Sequence, residues 1–161
     1  MNSHKYSEIM ISVRKIVRAI NLESKRVEKN FGISIPQLLT LKYLKEKPDY
    51  KSTMRNLREF LSLNASTVTG IISRLETKGY IARLPDPSDK RFTPIVLTSK
   101  GDELIKKTTL SLHERISKNL EAIDENEYQA ILGSFQTIIN FLNIDDLDAS
   151  PIITGGSEIM D

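Results

Sequence analysis

The chain has 161 residues, a length typical of one domain, with 39% apolar and 27% charged residues. It contains no cysteine and two histidines, which excludes disulfides and thiolate metal sites and leaves too few ligands for a histidine-built metal site. We therefore expect no metal and no cofactor. No apolar run approaches the roughly 20 residues of a membrane span, and the N-terminus lacks a secretory signal. These features predict a soluble, cytoplasmic protein without a membrane partner.

The small net charge of +2 conceals an asymmetry along the chain. Residues 1–50 and residues 51–100 each have a net charge of +5, whereas residues 101–161 have a net charge of −8. Such a division favours a basic working surface in the first 100 residues and an acidic remainder. Ordinary solvated helix faces are the alternative explanation.

Helical periodicity of apolar residues predicts four helices before residue 80. Their expected spans are residues 9–31, 34–48, 53–61 and 64–78. Gly32 and Gly79 are the expected stops, because glycine readily adopts the left-handed conformation that closes a helix. The second helix is expected to open at Ser34, and the expected caps are Thr53 for the third helix and either Asn64 or Ser62 for the fourth.

After residue 79 the pattern changes to that of a β-hairpin. Strands are predicted over residues 80–84 and 92–98, joined by a proline-containing turn at 85–89. Pro94 cannot donate a ladder hydrogen bond, so the second strand is expected at a sheet edge or to be irregular there. A long helix over residues 100–120 should follow, then a last helix from Asp124 with an apolar stripe, and a frayed tail. The stripes of the terminal helices need a partner, and a second copy of the chain is the simplest one.

The helix over residues 64–78 has two chemically different faces. Its apolar residues, at i, i+3, i+4 and i+7 from Val68, should pack against the preceding helix. Its other face carries short polar side chains and one arginine, without the Glu and Lys of an ordinary solvated helix. Short side chains let a helix enter a DNA major groove. We therefore predict a helix-turn-helix whose DNA-contacting residues are Asn64, Ala65, Ser66, Thr67, Thr69, Gly70, Ser73 and Arg74. A plain helical hairpin facing water is the alternative.

The predicted hairpin tip carries two adjacent cations, Lys90 and Arg91. An arginine on such a projection is suited to the narrow minor groove, next to the major groove that the helix over residues 64–78 is predicted to enter. Asp89 is expected to pair with Arg91 or with Arg83 and so to structure the loop. A surface ion pair of little energetic value is the alternative for these residues.

Three segments together resemble the MarR family of winged helix-turn-helix regulators. They are the hydroxyl-rich run at residues 66–69, the run R-L-E-x-K-G-Y-I-x-R at 74–83, and D-P-x-D-K-R with the following L-T-x2-G at 86–101. The resemblance runs from about residue 5 to residue 145. It implies a mainly α fold with a small β-hairpin wing, in which a winged helix-turn-helix DNA-binding lobe is joined to a helical dimerisation region.

The resemblance also implies a domain arrangement. The expected parts are an N-terminal dimerisation helix at 1–32, a DNA-binding domain at 33–100, C-terminal dimerisation helices at 101–145 and a flexible tail at 146–161. One departure concerns Gly70, which stands where many members of the family have a longer polar or basic residue. The absence of cysteine excludes the thiol-oxidation switch used by one branch of the family.

The implied function is that of a sequence-specific transcriptional regulator, expected to be a repressor. It would bind a pseudo-palindromic operator in double-stranded DNA as a homodimer and be released by a small aromatic or anionic effector. No set of acid, base and nucleophile is evident, so the chain is not expected to be an enzyme. A winged-helix protein-interaction module that has lost DNA binding is the alternative. Ile16, Ile20, Leu38 and Leu41 are candidates for an effector crevice, with ordinary core positions as the competing interpretation.

Overall fold

The computed structural model describes residues 3–85, 93–108 and 112–147. These residues form two compact units, one up to Lys107 and the other beginning at Thr108. Within the described part of the chain, no helix is both long enough and apolar enough to span a bilayer. The predicted mainly α fold with a small antiparallel sheet is confirmed.

The first unit begins with two helices separated by a glycine turn. Helix α1, Ser3–Phe31, ends at Gly32, whose φ of +65° is the left-handed conformation predicted for it. Helix α2, Ile35–Lys45, opens with a capping box. The Ser34 hydroxyl accepts a hydrogen bond from the Gln37 backbone, and the Gln37 side chain accepts one from the Ser34 backbone. The helix ends three residues before Pro48, earlier than predicted.

Two shorter helices follow a 3-10 turn at Pro48–Tyr50. Helix α3, Met54–Leu61, is capped by Thr53, whose hydroxyl accepts a hydrogen bond from the Asn56 backbone at 3.1 Å. Helix α4, Ala65–Thr77, is capped by Asn64, which decides between the two predicted caps. The predicted stop at Gly79 is confirmed by its φ of +74°.

The sheet has three antiparallel strands in the order β1–β3–β2: β1 is Lys51–Ser52, β2 is Ile81–Arg83 and β3 is Ile95–Leu97. The prediction of an edge position for the second hairpin strand is wrong, because β3 lies in the centre. Pro94 is compatible with this position because β3 begins one residue after it, and its carbonyl accepts a hydrogen bond from Leu84 N. Strand β1 is absent from the sequence interpretation, since two residues carry no periodic signal.

One aliphatic core joins the helices of the first unit to the sheet. The inward side of α4 supplies Val68, Ile71, Ile72 and Leu75, as predicted, and α3 supplies Leu57. Met54 and Leu61 lie against the same core, partly buried. Burial of each such aliphatic side chain contributes about 1.5–3 kcal/mol, so the outward side of α4 is held in a fixed orientation by its inward side.

The first turn of helix α5, Ser99–Lys107, is anchored to the rest of the first unit. The Thr98 hydroxyl donates to the Gly79 carbonyl at 2.7 Å and accepts from the Gly101 backbone at 3.1 Å. Asp102 receives hydrogen bonds from Lys45 of α2 and from Lys106 one turn later. These contacts connect the start of α5 to Gly79, which is 19 residues before Thr98, and to Lys45 of α2, which is 57 residues before Asp102.

The second unit consists of helices α6, Leu112–Glu121, and α7, Glu125–Leu142. The single helix predicted over residues 100–120 is wrong, because α5 ends at Lys107 and Thr108 is not helical. The two threonines after Lys107 are weak helix formers, which accounts for the interruption. The predicted start of α7 is confirmed: the Asp124 carboxylate accepts a hydrogen bond from Glu127 N at 2.9 Å.

Candidate nucleic-acid interface

Helices α3 and α4 form a helix-turn-helix with a tight connection. Ser62 has the left-handed φ of +53° and reverses the chain, and Leu63 follows with only 7% of its surface exposed. Asn64 then begins α4: its Oδ1 accepts hydrogen bonds from Thr67 N and from the Ser66 hydroxyl, both at 2.8 Å. The buried Leu63 and the cap together fix where α4 starts and which side of it faces outward.

The structure brings the predicted recognition residues of α4 together on one outward side. Thr67 and Gly70 are half-buried, and the others are exposed, namely Asn64, Ala65, Ser66, Thr69, Ser73 and Arg74. All of them project beyond the core side, whose four aliphatic residues are at most 2% exposed. The surface has no carboxylate between Asn64 and Leu75. We call these outward residues, from Asn64 to Arg74, the α4 surface.

Two hydroxyl groups on the α4 surface, those of Ser66 and Thr69, donate their hydrogens to other groups of the protein. The Ser66 hydroxyl donates to Asn64 Oδ1, and the Thr69 hydroxyl donates to the Ala65 carbonyl, each at 2.8 Å. A hydroxyl whose single hydrogen is engaged still has lone pairs for accepting hydrogen bonds. In a major groove such acceptors match the amino groups of adenine and cytosine.

The acidic residue of α4 pairs with a residue outside the helix rather than with the arginine on the α4 surface. Glu76 is the one acidic residue of α4, and it forms an ion pair with Arg83 of β2 at 3.1 Å. Arg74 donates from Nε to the Gly70 carbonyl at 3.2 Å. The predicted wing-structuring residue Arg83 therefore joins the wing strand to α4 through Glu76. The other wing residues, Asp89, Lys90 and Arg91, lie outside the described residues.

A basic depression beside the turn was missed in the sequence interpretation. It has a volume of about 540 Å³ and is lined by Arg55, Arg58, Glu59, Ser62 and Leu63. Arg55 pairs with Glu59 at 3.0 Å, and Arg58 lies six residues before Asn64, the cap of α4. The signal was present: the first helix of a helix-turn-helix crosses the phosphate backbone, and arginines on its polar side are suited to phosphate.

The four residues predicted for an effector crevice divide into two pairs. Leu38 and Leu41 are core residues, 2% and 0% exposed, whereas Ile16 and Ile20 on α1 are 45% and 40% exposed and do not belong to the core of the described chain. The effector crevice at these four residues stays a prediction. A groove of about 520 Å³ on α1 contains none of them; its lining includes Val13, Val17, Arg14, Arg18 and Lys25.

Metal-binding chemistry has no support among the described residues, where no three His, Asp or Glu side chains are grouped closely enough to hold an ion. In the described part of the chain, the residues with clearly perturbed pKa values are Arg26, Asp102 and Lys106, and none of them belongs to the α4 surface. Hydrogen bonds from Lys106 and Lys45 lower the pKa of Asp102, and the bond to Asp102 raises the pKa of Lys106. This cluster belongs to the attachment of α5.

Sequence comparisons relate the chain to known regulators. The sequence model of the MarR family matches residues 33–93. The chain is 26% identical over 121 residues to the uncharacterised HTH-type transcriptional regulator YsmB of Bacillus subtilis, covering 75% of this chain and 82% of the relative. It is 36% identical over 70 residues to the multiple antibiotic resistance protein MarR of Salmonella typhimurium, covering 41% of this chain and 49% of that protein.

Structural comparisons identify the same fold. The MarR-family regulator Sco3205 of Streptomyces coelicolor, solved in complex with DNA, superimposes with a TM-score of 0.59 at 22% identity, over 93% of each chain. MepR of S. aureus, also solved in complex with DNA, gives a TM-score of 0.59 at 23% identity, over 86% of this chain and 98% of that one. Combined with the helix-turn-helix geometry, these similarities show that the chain has the winged-helix fold and that residues 33–93 are similar to the MarR family of transcriptional regulators.

Proposed function

We propose that the chain binds double-stranded DNA as a homodimer and represses transcription from a pseudo-palindromic operator. The observation that carries this proposal is the α4 surface, which presents short polar side chains and one arginine without a carboxylate. Such a surface lets the helix backbone approach base edges in the major groove without repulsion by phosphates. Each subunit contributes one α4, and the two half-sites of the operator mirror the two-fold symmetry of the dimer.

Uncovered apolar residues on α7 support the dimer. None of the residues of α7 is buried, and Leu132, Phe135 and Phe141 are 49%, 50% and 79% exposed. An amphipathic helix is stabilised mainly by burial of its apolar side. A second copy of the chain supplies that burial. Helix α1 belongs to the same dimerisation region in this proposal, because Ile9 and Ile16 on it are also about half exposed.

The basic side chains outside α4 complete the proposed contact. Lys90 and Arg91 of the wing tip enter or approach the minor groove, as the sequence predicts, and Arg58 contacts a phosphate. Counterions released by such contacts make the affinity fall steeply as salt rises.

A small anionic effector is proposed to release the operator. The α1 groove supports it, because the groove combines an apolar floor at Val13 and Val17 with the cations Arg14, Arg18 and Lys25. Apolar walls with a few polar groups are typical of small-molecule sites. Ile16 and Ile20 are exposed and lie close in sequence to the residues that line this groove. Leu38 and Leu41 are buried, so they contact a ligand only if the core opens.

Selection of bound duplexes from a random DNA library, carried out with the purified chain at two salt concentrations, tests the proposal. We expect an inverted repeat with half-sites about one helical turn apart. Binding without a consensus that disappears at moderate salt would contradict sequence-specific regulation. It would favour the protein-interaction module instead.

A matched pair of variants tests the placement of the interface on α4. Ser66→Glu adds a carboxylate to the α4 surface and should abolish binding to the selected duplex, because phosphates repel it. Asn119→Glu adds the same charge to exposed α6, which makes no DNA contact in this proposal, and should leave the affinity within about twofold. Equal affinities of the two variants would contradict the placement.

A further inference from the structure

Gly70 provides space that Arg74 occupies. A Cβ atom built on Gly70 would lie 3.2 Å from Arg74 Nη2 and 3.9 Å from its Cζ. The Arg74 Nε also donates to the Gly70 carbonyl at 3.2 Å. The arginine side chain thus runs back along α4 by one turn, the direction that helical side chains prefer. Its guanidinium group lies over the glycine.

This arrangement leaves the outer end of the guanidinium group available. An arginine has five N–H donors, and the bond to Gly70 uses the one on Nε. The two terminal nitrogens retain the paired donors that match O6 and N7 of guanine in the major groove. Glu76 does not neutralise the group, because its carboxylate is paired with Arg83.

Glycine at this position is otherwise unfavourable. Within a helix it is less stable than alanine, and Gly70 has neither a positive φ nor close backbone contact that would require it. Among the described residues outside the backbone of α4 itself, the neighbour that a Cβ atom at position 70 would meet within 4 Å is the Arg74 side chain. The use of glycine is therefore explained by the position of the arginine.

We propose that Arg74, positioned by Gly70, reads a guanine in each half-site of the operator. Arg74 is the residue that contacts the base, and Gly70 is a positioning residue that determines specificity through it. The proposal rests on the DNA binding proposed above and adds the base that is recognised. A longer side chain at position 70 would contact the DNA itself, whereas with glycine there the Arg74 side chain makes the contact with the base.

The test measures affinity for the selected duplex and for duplexes in which each G·C pair of the half-site is replaced by A·T. For the wild type we expect one pair whose replacement weakens binding by about 10- to 100-fold, the range of a bidentate arginine–guanine contact. Arg74→Lys should reduce this penalty to within about threefold while salt-dependent binding persists, because lysine cannot form the bidentate contact.

Two variants of Gly70 test the positioning. Gly70→Ala displaces the guanidinium by a few tenths of an ångström, so replacing the G·C pair by A·T should weaken binding less than it does in the wild type. In Gly70→Val the replacement should weaken binding as little as it does in Arg74→Lys. The thermal midpoint of Gly70→Ala should equal or exceed that of the wild type, since alanine is the better helix former, so a loss of discrimination cannot be assigned to unfolding. Gly133→Ala on α7 is the control and should leave the penalty unchanged.

The outcomes separate this proposal from the one it rests on. If the wild type selects an inverted repeat but Arg74→Lys keeps the full penalty at every G·C pair, the reading of guanine is wrong and operator binding stands. If Arg74→Lys loses the penalty and both Gly70 variants retain it, the positioning role is wrong. If the wild type selects no consensus, operator binding and the inference fail together.

Discussion

At the scale of single residues, Gly101 lies where α5 approaches the chain leading into β2 most closely. A Cβ atom at this position would be 2.2 Å from the Tyr80 carbonyl oxygen and 2.7 Å from a methyl carbon of Leu97. Both distances are well below van der Waals contact, and the first involves backbone that cannot rotate away. The glycine of the L-T-x2-G motif is therefore required by packing.

We expect Gly101→Ala to lower the free energy of unfolding by about 1–3 kcal/mol, the usual effect of overpacking, despite the better helix propensity of alanine. Gly133→Ala is the matched control. It has no atom within 4 Å of the added methyl group and should raise the free energy of unfolding by about 0.5–1 kcal/mol. Urea unfolding measures both variants. A Gly101→Ala protein as stable as the wild type would contradict the packing argument.

Asp102 makes the attachment of α5 sensitive to acid. Hydrogen bonds from Lys106 and Lys45 lower its pKa from the ordinary value of 3.8. The folded state thus binds the proton more weakly than the unfolded state. The resulting stabilisation is fully present above the ordinary pKa and is lost as the pH falls through the lowered one. The raised pKa of Lys106 acts oppositely, because its contribution is lost only as the pH rises beyond 10.5.

Asp102→Asn should therefore be less stable than the wild type at pH 7, and the difference should shrink as the pH falls below 4. Urea unfolding of both proteins between pH 2 and pH 7 measures the difference. Lys107→Gln, which removes a neighbouring charge outside the cluster, should show no such trend. A difference that stays constant down to pH 2 would show that the carboxylate does not stabilise the fold.

At the scale of elements, the start of α4 has two separable requirements. Asn64 supplies the cap by accepting hydrogen bonds from Thr67 N and the Ser66 hydroxyl, and it also belongs to the proposed DNA contact. Aspartate preserves the cap but adds a negative charge, whereas alanine removes the cap without adding charge. The two substitutions therefore test the two requirements independently.

We expect Asn64→Ala to lower the free energy of unfolding by about 1 kcal/mol. Asn64→Asp should remain as stable as the wild type, because a carboxylate is favourable at a helix N-terminus, yet bind the selected duplex at least tenfold more weakly. Thermal unfolding and fluorescence anisotropy at one salt concentration give the two quantities. Undiminished binding by Asn64→Asp would place the N-terminus of α4 away from phosphates.

At the scale of the whole molecule, the chain has the winged-helix fold, and residues 33–93 match the sequence model of the MarR family. Charge is divided along the chain, with +10 in residues 1–100 and −8 in residues 101–161. The basic part contains the helix-turn-helix. The acidic part contains α7, whose apolar side is uncovered in one copy of the chain. The proposed dimerisation through apolar contact rather than charge fits both observations.

Leu132→Asp combined with Phe135→Asp should convert the proposed dimer to a monomer, because both side chains are about half exposed on the apolar stripe of α7 and a dimer interface would bury the new charges. Light scattering after size exclusion gives the mass, and circular dichroism should show unchanged helix content. Thr137→Asp, on the exposed polar side of the same helix, should remain a dimer. A dimeric double variant would exclude this part of α7 from the interface.

Much of the fold was predictable because its signals are local. Helix spans followed from apolar periodicity, the starts at Ser34 and Asp124 followed from the same pattern, and the caps at Thr53 and Asn64 followed from side chains that satisfy free N–H groups. The α4 surface was predictable for the same reason, since a helix with one apolar side must turn its other side outward. The break after Lys107 was missed because apolar periodicity continues across it.

By itself, then, the sequence determined the order of elements, the inward and outward sides of α4 and the residue types offered to DNA. Tertiary structure alone decided the contacts between residues far apart in the chain. Examples are the central position of β3 beside the two-residue β1, the closeness of Gly101 to Tyr80 and the bond from Lys45 to Asp102. The physical reason is that periodicity records whether a residue is buried, whereas the identity of its neighbour depends on how separate elements pack.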